Sequence, residues 1–197
     1  MDTLEQTVEL FCGEKAFSQI AQSLGYSTFT LDINPAFAPD IAADILSVSA
    51  DQFPSNPLVV WACPPDSAFT ERANWDKEGY AQTPDGEKAM EIFSKTINLI
   101  RELKPKWWFI ENPKSILRTM TMMAGFNRGH PTRNRHTIDH RQFGGTAKGL
   151  SDVWTNAYWW RPQPMEDLEA LGIPYDDQIG RVPPYVFAEI FDQLPQR

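Results

Sequence analysis

The sequence predicts an α/β protein with a doubly wound, mostly parallel sheet that ends in a β-hairpin. Strand-like and helix-like segments alternate along the first half of the chain, and two of the strands are continuous apolar runs, as expected for strands covered on both faces. In the second half, two strand-like segments flank a glycine-rich turn. The 197 residues, 42% of them hydrophobic, are enough for one core, so we expect residues 1–197 to form one domain.

The first unit reads as strand, helix and strand. The segment TVELFCG is β-branched and aromatic and stops at Gly13. Apolar residues then recur at helical spacing before Gly25, and STFTLDI alternates as a strand that ends in Asp32. The order predicts two parallel strands joined by a crossover helix.

The second unit repeats this order with more strongly apolar strands. The run PLVVWAC predicts a central parallel strand, and residues 86–103 place apolar side chains along one helical face. The segment KPKWWFIEN supplies the next buried strand.

The C-terminal part predicts a hairpin at the edge of the sheet. Its two strands lie in RNRHTIDHRQFGG and SDVWTNAYWW. Residues 163–181 predict a loop with one short helix, and PPYVFAEIFDQL predicts a final helix with proline in its first turn.

The charge of the chain is uneven. The net charge is -8, yet residues 101–161 hold eleven bases against four acids. Such a block indicates a surface that binds a polyanion such as DNA, with an ordinary solvated surface as the alternative. The candidate DNA contacts are Arg118, Arg128, Arg133, Arg141 and Lys148.

Composition also indicates the compartment. No apolar run reaches the roughly 18 residues of a membrane span, and the first residues are acidic, unlike a signal peptide. Cys12 and Cys63 lie in apolar segments, which suits reduced, buried thiols. We therefore expect a cytoplasmic protein. His136 and His140 would be about 13 Å apart on a strand, so we expect no metal site.

Three residues, two of them at predicted strand ends, suggest a nucleotide-like ligand. Gly13 precedes a helix N-terminus and permits close approach of the backbone. Asp32, at the end of the second strand, can accept hydrogen bonds from a ribose diol, and Asp44 can accept one from an adenine amine. The alternative for both carboxylates is a loop cap.

Four motifs follow one another along the chain: ELFCGEKAFS, CPPDSAFT, Glu111 to Pro113, and RVPPYVFAEIF. In this order they resemble the motifs of the DNA cytosine-5 methyltransferases, particularly the short phage-type members. The segment ELFCGEKAFS resembles their first motif, although later glycines of that motif are replaced by Lys15 and Ala16. The segment CPPDSAFT resembles their Pro-Pro-Cys motif, Glu111 to Pro113 matches Glu-Asn-Pro, and RVPPYVFAEIF resembles the last motif. The predicted hairpin also resembles that of the phage members.

The resemblance implies a Rossmann-like methyltransferase fold that binds S-adenosylmethionine and acts on DNA in a bacterial or phage-infected cell. The implied cofactor-binding residues are Phe11, Gly13, Asp32, Ile33, Asp44 and Pro64, the last of which also flanks the target pocket. In the family, a cysteine thiolate adds to carbon 6 of a flipped-out cytosine and a glutamate holds the ring. Glu111 matches that glutamate. Arg135 matches an arginine that steadies the base, with Arg133 as the competing assignment.

The departure from the family is Asp66, which occupies the position of the nucleophilic cysteine. A carboxylate is a hard, weak nucleophile, so covalent activation by Asp66 is disfavoured. We expect Cys63, three residues earlier, to point away from the site and not to replace it. Three explanations remain: a cytosine methyltransferase in which Asp66 is an altered catalytic residue, an enzyme that methylates an exocyclic amine, or a non-catalytic protein that binds the cofactor and DNA.

Target recognition is reduced in this chain. Larger family members insert a recognition domain between the hairpin and the last motif, whereas only about 25 residues, 157–181, are available here, too few for a second core. The sequence thus predicts little sequence specificity, or specificity supplied by a protein partner.

Overall fold

A seven-stranded sheet in the order β3-β2-β1-β4-β5-β7-β6 organises the computed structural model. The structure describes residues 5–120, 123, 134–145, 149–164 and 182–195. The strands are β1 (Gln6–Leu10), β2 (Ser27–Asp32), β3 (Ile41–Ala42), β4 (Val59–Ala62), β5 (Trp107–Pro113), β6 (Asn134–Asp139) and β7 (Leu150–Thr155). The first five run parallel, and β7 is antiparallel to both of its neighbours. The predicted α/β, mostly parallel architecture is confirmed.

Helices cover both faces of the sheet. They are α1 (Ala16–Ser23), α2 (Ser67–Thr70), α3 (Pro84–Leu103) and α4 (Pro184–Asp192). Side chains alternate along each strand, so Trp61 and Phe109 pack toward α1 and α4, whereas Val60 and Ile110 pack toward α3. The continuous apolar strands of the sequence therefore serve two cores, one on each face.

The predicted helix over residues 86–103 is confirmed and begins two residues earlier. Thr83 caps it, because its hydroxyl accepts a hydrogen bond from the backbone N–H of Gly86 (3.2 Å), and Pro84 occupies the first turn, where its missing N–H costs nothing. Lys104 ends the helix in the left-handed conformation. The final helix likewise has a proline, Pro184, in its first turn, as expected.

The predicted hairpin is confirmed by β6 and β7, which pair antiparallel and extend the sheet beyond β5. A 3-10 helix, His140–Phe143, follows β6 directly and ends at Gly144, whose φ of 84° suits glycine. The loop and short helix predicted for residues 163–181 lie almost entirely outside the described residues. Within the described ranges, none of the helices has the length and apolar character needed to cross a membrane.

Candidate functional site

The loops that follow β1, β2, β4 and β5 meet at one edge of the sheet. These strands are parallel, so their carboxyl ends lie on the same side. The chain leaves β1 toward β2 and β3 and later returns to place β4 on the other side of β1. Ligands of open α/β sheets bind at such a reversal of strand order.

The loop after β1 has an unusual backbone. Phe11 and Lys15 adopt positive φ angles of 61° and 64°, and Gly13 has φ of 47°. A Cβ atom at Gly13 would meet nothing within 4 Å, so open space lies above this residue. Non-glycine residues in the left-handed region carry strain that is concentrated at functional sites. The geometry thus agrees with a loop whose backbone approaches a ligand.

Asp32 ties this loop to the end of β2. One carboxylate oxygen accepts a hydrogen bond from the backbone N–H of Gly13 (2.9 Å), and the other accepts one from Asn34 (2.8 Å). Each oxygen of a carboxylate has two acceptor positions, so the capping role predicted as the alternative leaves capacity for a ligand. Next to Asp32, the side chain of Ile33 is 67% exposed.

Asp44 is a cap in the structure. Its Oδ1 accepts a hydrogen bond from the backbone N–H of Leu46 (2.9 Å) at the start of the 3-10 helix Ile45–Ser47. Ala42, two residues earlier, pairs with Asp32 across β3 and β2. Asp44 therefore belongs to the same edge of the sheet as Asp32.

A cavity of about 230 Å³ connects the loop after β1 with the loop after β4. Trp61 contributes to its wall from β4, and Val182 and Phe187 contribute from α4 and the segment before it. The remaining wall residues lie in these two loops, in β1 or at the start of α1: Glu9, Phe11, Cys12, Gly13, Glu14, Ala16, Cys63, Pro64, Pro65 and Asp66. The fold therefore brings Phe11, Gly13, Pro64 and Asp66 of the predicted set together around one cavity.

A hydrogen bond from β5 holds the loop after β4 in place. The carbonyl of Pro64 accepts a hydrogen bond from the side-chain amide of Asn112 (3.0 Å), which is fully buried. The carbonyl of Asp66 accepts hydrogen bonds from the backbone N–H groups of Phe69 (2.9 Å) and Thr70 (3.1 Å), so Asp66 stands at the start of α2. Its half-buried side chain lines the cavity.

Cys63 contradicts the expectation that its side chain points away from the site. Its thiol donates a hydrogen bond to Oε2 of Glu111 (2.6 Å), and Cys63 also lines the cavity. The pairing of Ala62 with Ile110 places the next residues, Cys63 and Glu111, side by side on one face of the sheet. Glu111 itself is fully buried and is absent from the cavity wall, so Cys63 lies between its carboxylate and the cavity.

Glu9 was not among the predicted site residues, although an acid in an apolar strand is a visible signal. Its Oε2 accepts a hydrogen bond from the backbone N–H of Ser18 (2.9 Å), and burial raises the pKa of its carboxyl to about 7. Burial, with Glu9 and Asp32 nearby, raises the pKa of the Cys12 thiol to about 12. Cys12 is therefore a protonated and unreactive thiol at neutral pH.

Arg135 does not lie beside Glu111. The register pairs Arg135 with Trp154, whose side chain belongs to the core under α3. Glu111 instead pairs with Val153 of β7, and Val153 also pairs with His136 of β6. The side chain of Val153 belongs to the core under α4. Because side chains alternate along a strand, the exposed Arg135 and Glu111 lie on opposite faces of the sheet. The competing candidate, Arg133, lies outside the described residues.

The basic block contains charges that are already compensated. Arg118 donates two hydrogen bonds to the fully buried carboxylate of Asp152, with Nε to Oδ2 at 2.8 Å. Arg141 pairs with Asp139 at 2.7 Å. Arg128 and Lys148, like Arg133, lie outside the described residues. In the part of the chain that the structure describes, no three His, Cys, Asp or Glu side chains are grouped as a metal site requires.

The fold is shared with solved structures, of which three are described here. No protein-family model matches the chain, and a search of curated proteins finds no match. A prophage-encoded E. coli protein described as a DNA modification methyltransferase aligns over 89% of this chain with a TM-score of 0.54. S. pombe Dnmt2 methyltransferase aligns over 91% with a TM-score of 0.52, and Entamoeba histolytica methyltransferase EhMeth aligns over 89% with a TM-score of 0.54.

The sequence identity is 13% in each case, so the likeness concerns the fold. The chain covers 50%, 57% and 61% of these three proteins, respectively, and therefore spans only about half to three fifths of their length.

Proposed function

We propose that the chain is an S-adenosylmethionine-dependent methyltransferase that acts on carbon 5 of cytosine in DNA. The observation that carries the proposal is the convergence of the Gly13 loop, the Pro64–Asp66 segment and the buried Glu111 at one edge of the sheet. The proposed cofactor site beside Gly13 and the base-binding carboxylate of Glu111 are then separated only by the loop that follows β4. The fold shared with three methyltransferases supports the same class of reaction.

The residues at the carboxyl ends of the parallel strands suit the binding of S-adenosylmethionine. The open space above Gly13 admits a ligand close to the backbone, and Asp32 retains acceptor positions for a ribose diol. The exposed Ile33 offers an apolar surface for an adenine face, and we assign to Asp44, which follows β3 at the same edge of the sheet, the hydrogen bond from the adenine amine. Phe11 and Pro64 line the cavity beside Gly13. S-adenosylmethionine, when bound, supplies an electrophilic methyl group.

Glu111 is the residue that suits cytosine. A carboxylate or carboxylic acid can hydrogen-bond both N3 and the exocyclic amine, which form the Watson–Crick edge of a flipped-out base. Full burial keeps water away from this carboxylate and strengthens each hydrogen bond that it makes. A proton delivered to N3 withdraws electrons from the ring and makes carbon 6 more electrophilic.

Asp66 lines the cavity but is a poor candidate for the attacking group. Carboxylate oxygens are hard and weakly nucleophilic compared with a thiolate. We assign Asp66 a role in orienting the contents of the cavity, which it can perform through hydrogen bonds. Its place at the start of α2 holds the carboxylate beside Pro64 and Pro65.

DNA is the proposed substrate, and a protein partner is proposed for its targeting. Two of the structurally similar proteins are described as a DNA modification methyltransferase and as Dnmt2 methyltransferase, respectively. The excess of basic residues over 101–161 supports a polyanionic substrate, with contacts from Arg128, Arg133 and Lys148 in addition to the paired Arg118 and Arg141. The short interval between hairpin and last helix supports a partner that supplies sequence specificity.

A second candidate is a cofactor-binding protein without catalysis. Two observations favour it: Asp66 stands where the resemblance places a cysteine, and Glu111 is fully enclosed. A third candidate, methylation of an exocyclic amine, needs no covalent adduct. Its sequence template is Asp, Asn or Ser, then Pro-Pro, then an aromatic residue, and Cys63 and Asp66 depart from it at both ends.

Transfer of tritiated methyl groups from S-adenosylmethionine to DNA separates the three. The substrate is unmethylated DNA of mixed sequence, so that no target motif is assumed, and the product is digested to nucleosides to identify the methylated atom. We expect 5-methyldeoxycytidine from the wild-type chain and none from Glu111→Gln, which keeps shape and loses the acid. Label on an exocyclic amine supports the third candidate. Label only after Asp66→Cys supports an inherited scaffold that has lost its activity.

A further inference from the structure

We propose that Cys63, displaced by three residues from the position that the resemblance assigns to the nucleophile, is the group that attacks carbon 6 of the base, with Glu111 as its proton acceptor. The inference rests on the proposed function, because it concerns the same site and the same class of substrate. It goes beyond that function by naming a nucleophile that the motif alone does not indicate.

The first argument is the distance between the two side chains. A nucleophile and its base lie within hydrogen-bond reach when they act together, and Sγ of Cys63 lies 2.6 Å from Oε2 of Glu111. The parallel register of β4 and β5 fixes this contact, since it sets the two residues side by side on one face. Neither side chain depends on a flexible loop for its position, because each directly adjoins or belongs to a central strand.

The second argument is access. Cys63 is half-buried and belongs to the wall of the 230 Å³ cavity, whereas Glu111 is fully buried behind it. A base that enters the cavity therefore meets the thiol before it meets the carboxylate. Cys63, the nucleophile, therefore faces the cavity, and Glu111, the proton acceptor, lies on the far side of Cys63 from the cavity.

The third argument eliminates the other candidates in the same wall. Cys12 is held protonated by burial and by its acidic neighbours, as its pKa of about 12 indicates. Asp66 presents a carboxylate, whose adduct at carbon 6 would be expelled more readily than a thioether. Among the cavity-lining residues that the structure describes, Cys63 is the thiol with a carboxylate as direct hydrogen-bond partner.

The reaction balances with these two residues. The thiol proton passes to Oε2 of Glu111, and the thiolate forms a bond to carbon 6. The C5=C6 electron pair shifts to C4=C5, and the C4=N3 pair moves onto N3, which takes the proton from Glu111. Carbon 5 is now nucleophilic and would take up the methyl group of S-adenosylmethionine, whose sulfur would keep the electron pair of the broken bond and leave as the thioether. Loss of the carbon 5 proton to solvent restores C5=C6 and breaks the sulfur–carbon bond. The N3 proton returns through Glu111 to the thiolate.

Two measurements test the proposal without assuming a target sequence. Addition at carbon 6 makes carbon 5 basic, so DNA labelled with tritium at cytosine carbon 5 should release tritium into water even without cofactor. DNA synthesised with 5-fluorocytosine should form a lasting adduct when S-adenosylmethionine is present, because fluorine cannot leave as the proton does. Peptide mapping by mass spectrometry then identifies the attached residue.

Variants of Cys63 and Glu111 distinguish a catalytic role of these side chains from a structural one. Cys63→Ser keeps a small hydrogen-bond donor beside Glu111 but presents a far weaker nucleophile, and Cys63→Ala removes both. We expect each to lower tritium release at least about 100-fold, and Glu111→Gln to do the same through loss of the proton acceptor. Cofactor binding by calorimetry and the unfolding midpoint of Cys63→Ser should stay close to those of the wild type.

The outcomes distinguish this proposal from the proposed function. An adduct on Cys63 itself, located by fragmentation of the peptide that carries both Cys63 and Asp66, supports it. Methyl transfer to cytosine with the adduct on Asp66, or with full tritium release by Cys63→Ser, overturns the assignment of Cys63 and leaves the cytosine methyltransferase intact. No transfer and no tritium release by the wild-type chain overturns the proposed function, and the assignment of Cys63 with it.

Discussion

The carboxylate of Asp32, at the end of β2, accepts a hydrogen bond from the backbone N–H of Gly13 (2.9 Å), in the loop after β1. This contact fastens a loop with three positive φ angles to a neighbouring strand. The second oxygen of the carboxylate accepts from Asn34 (2.8 Å), so its orientation is fixed before any ligand binds. Such preorganisation lowers the entropy that a ligand must lose on binding.

Asp32→Ala should weaken binding of S-adenosylmethionine roughly 10- to 150-fold, because it removes about 1.5–3 kcal/mol of hydrogen bonding to a charged group and releases the loop. Titration calorimetry measures the change. Asp40→Ala is the matched control: Asp40 also accepts two hydrogen bonds, but they come from the backbone and side chain of Thr30 in β2 and not from the Gly13 loop. Equal loss of affinity in both variants would contradict the proposed cofactor site.

Gly13→Ala should abolish cofactor binding at a modest cost in stability. An alanine at φ of 47° costs about 1–2 kcal/mol, and its methyl group would occupy the open space above the loop. Gly25→Ala provides the comparison, since Gly25 has φ of 87° and equally open surroundings but follows α1, away from the cavity. Urea unfolding should show similar losses, while calorimetry should show lost binding for Gly13→Ala alone.

Arg118→Ala should destabilise the hairpin by about 3 kcal/mol, because it leaves the buried carboxylate of Asp152 without its cation. The hydroxyl of Thr137, which donates a hydrogen bond to Oδ1 of Asp152 (2.6 Å), would remain as a neutral partner. The double variant Arg118→Met with Asp152→Leu should recover much of this loss, since no buried charge remains. Thermal unfolding of the single and double variants measures the energetic coupling between Arg118 and Asp152. Strictly additive losses of stability would show that the two residues are not coupled.

Stability should fall between about pH 4.5 and pH 7 through Glu9. Burial raises the pKa of Glu9 from 4.5 to about 7 in the folded chain. The folded state therefore binds a proton in this window that the unfolded state has already released. By linkage, the free energy of unfolding decreases as pH rises, by about 3 kcal/mol at most, and is level above pH 7.

Glu9→Gln isolates this effect, because glutamine keeps the acceptor for the Ser18 backbone N–H and cannot ionise. The variant should gain stability over the wild type as pH rises from 4.5 to 7, measured by urea unfolding. The difference between the two proteins also removes the opposite contribution of His136, whose pKa burial lowers to about 4. A difference that does not change with pH would show that Glu9 ionises normally.

The sequence determined the succession of strands and helices, the hairpin and the positions of the loops that form the site. Hydrophobic periodicity records which segments are buried, and proline and threonine before residue 86 record where α3 begins. These are local signals, so a single chain suffices to recognise them. Among the cavity-lining residues, Gly13 follows from the same reasoning, because parallel strands end at one edge, whereas Phe11, Pro64 and Asp66 were predicted from the resemblance to the methyltransferase motifs.

Only the tertiary structure decided the contacts across the sheet. The partnership of Cys63 with Glu111, 48 residues apart, depends on the register of β4 and β5, and a shift of one residue would turn either side chain to the other face. The same alternation places Arg135 on the face opposite Glu111. Local sequence specifies that a strand forms, whereas pairing partner and register are set by the packing of two cores that are assembled from distant segments.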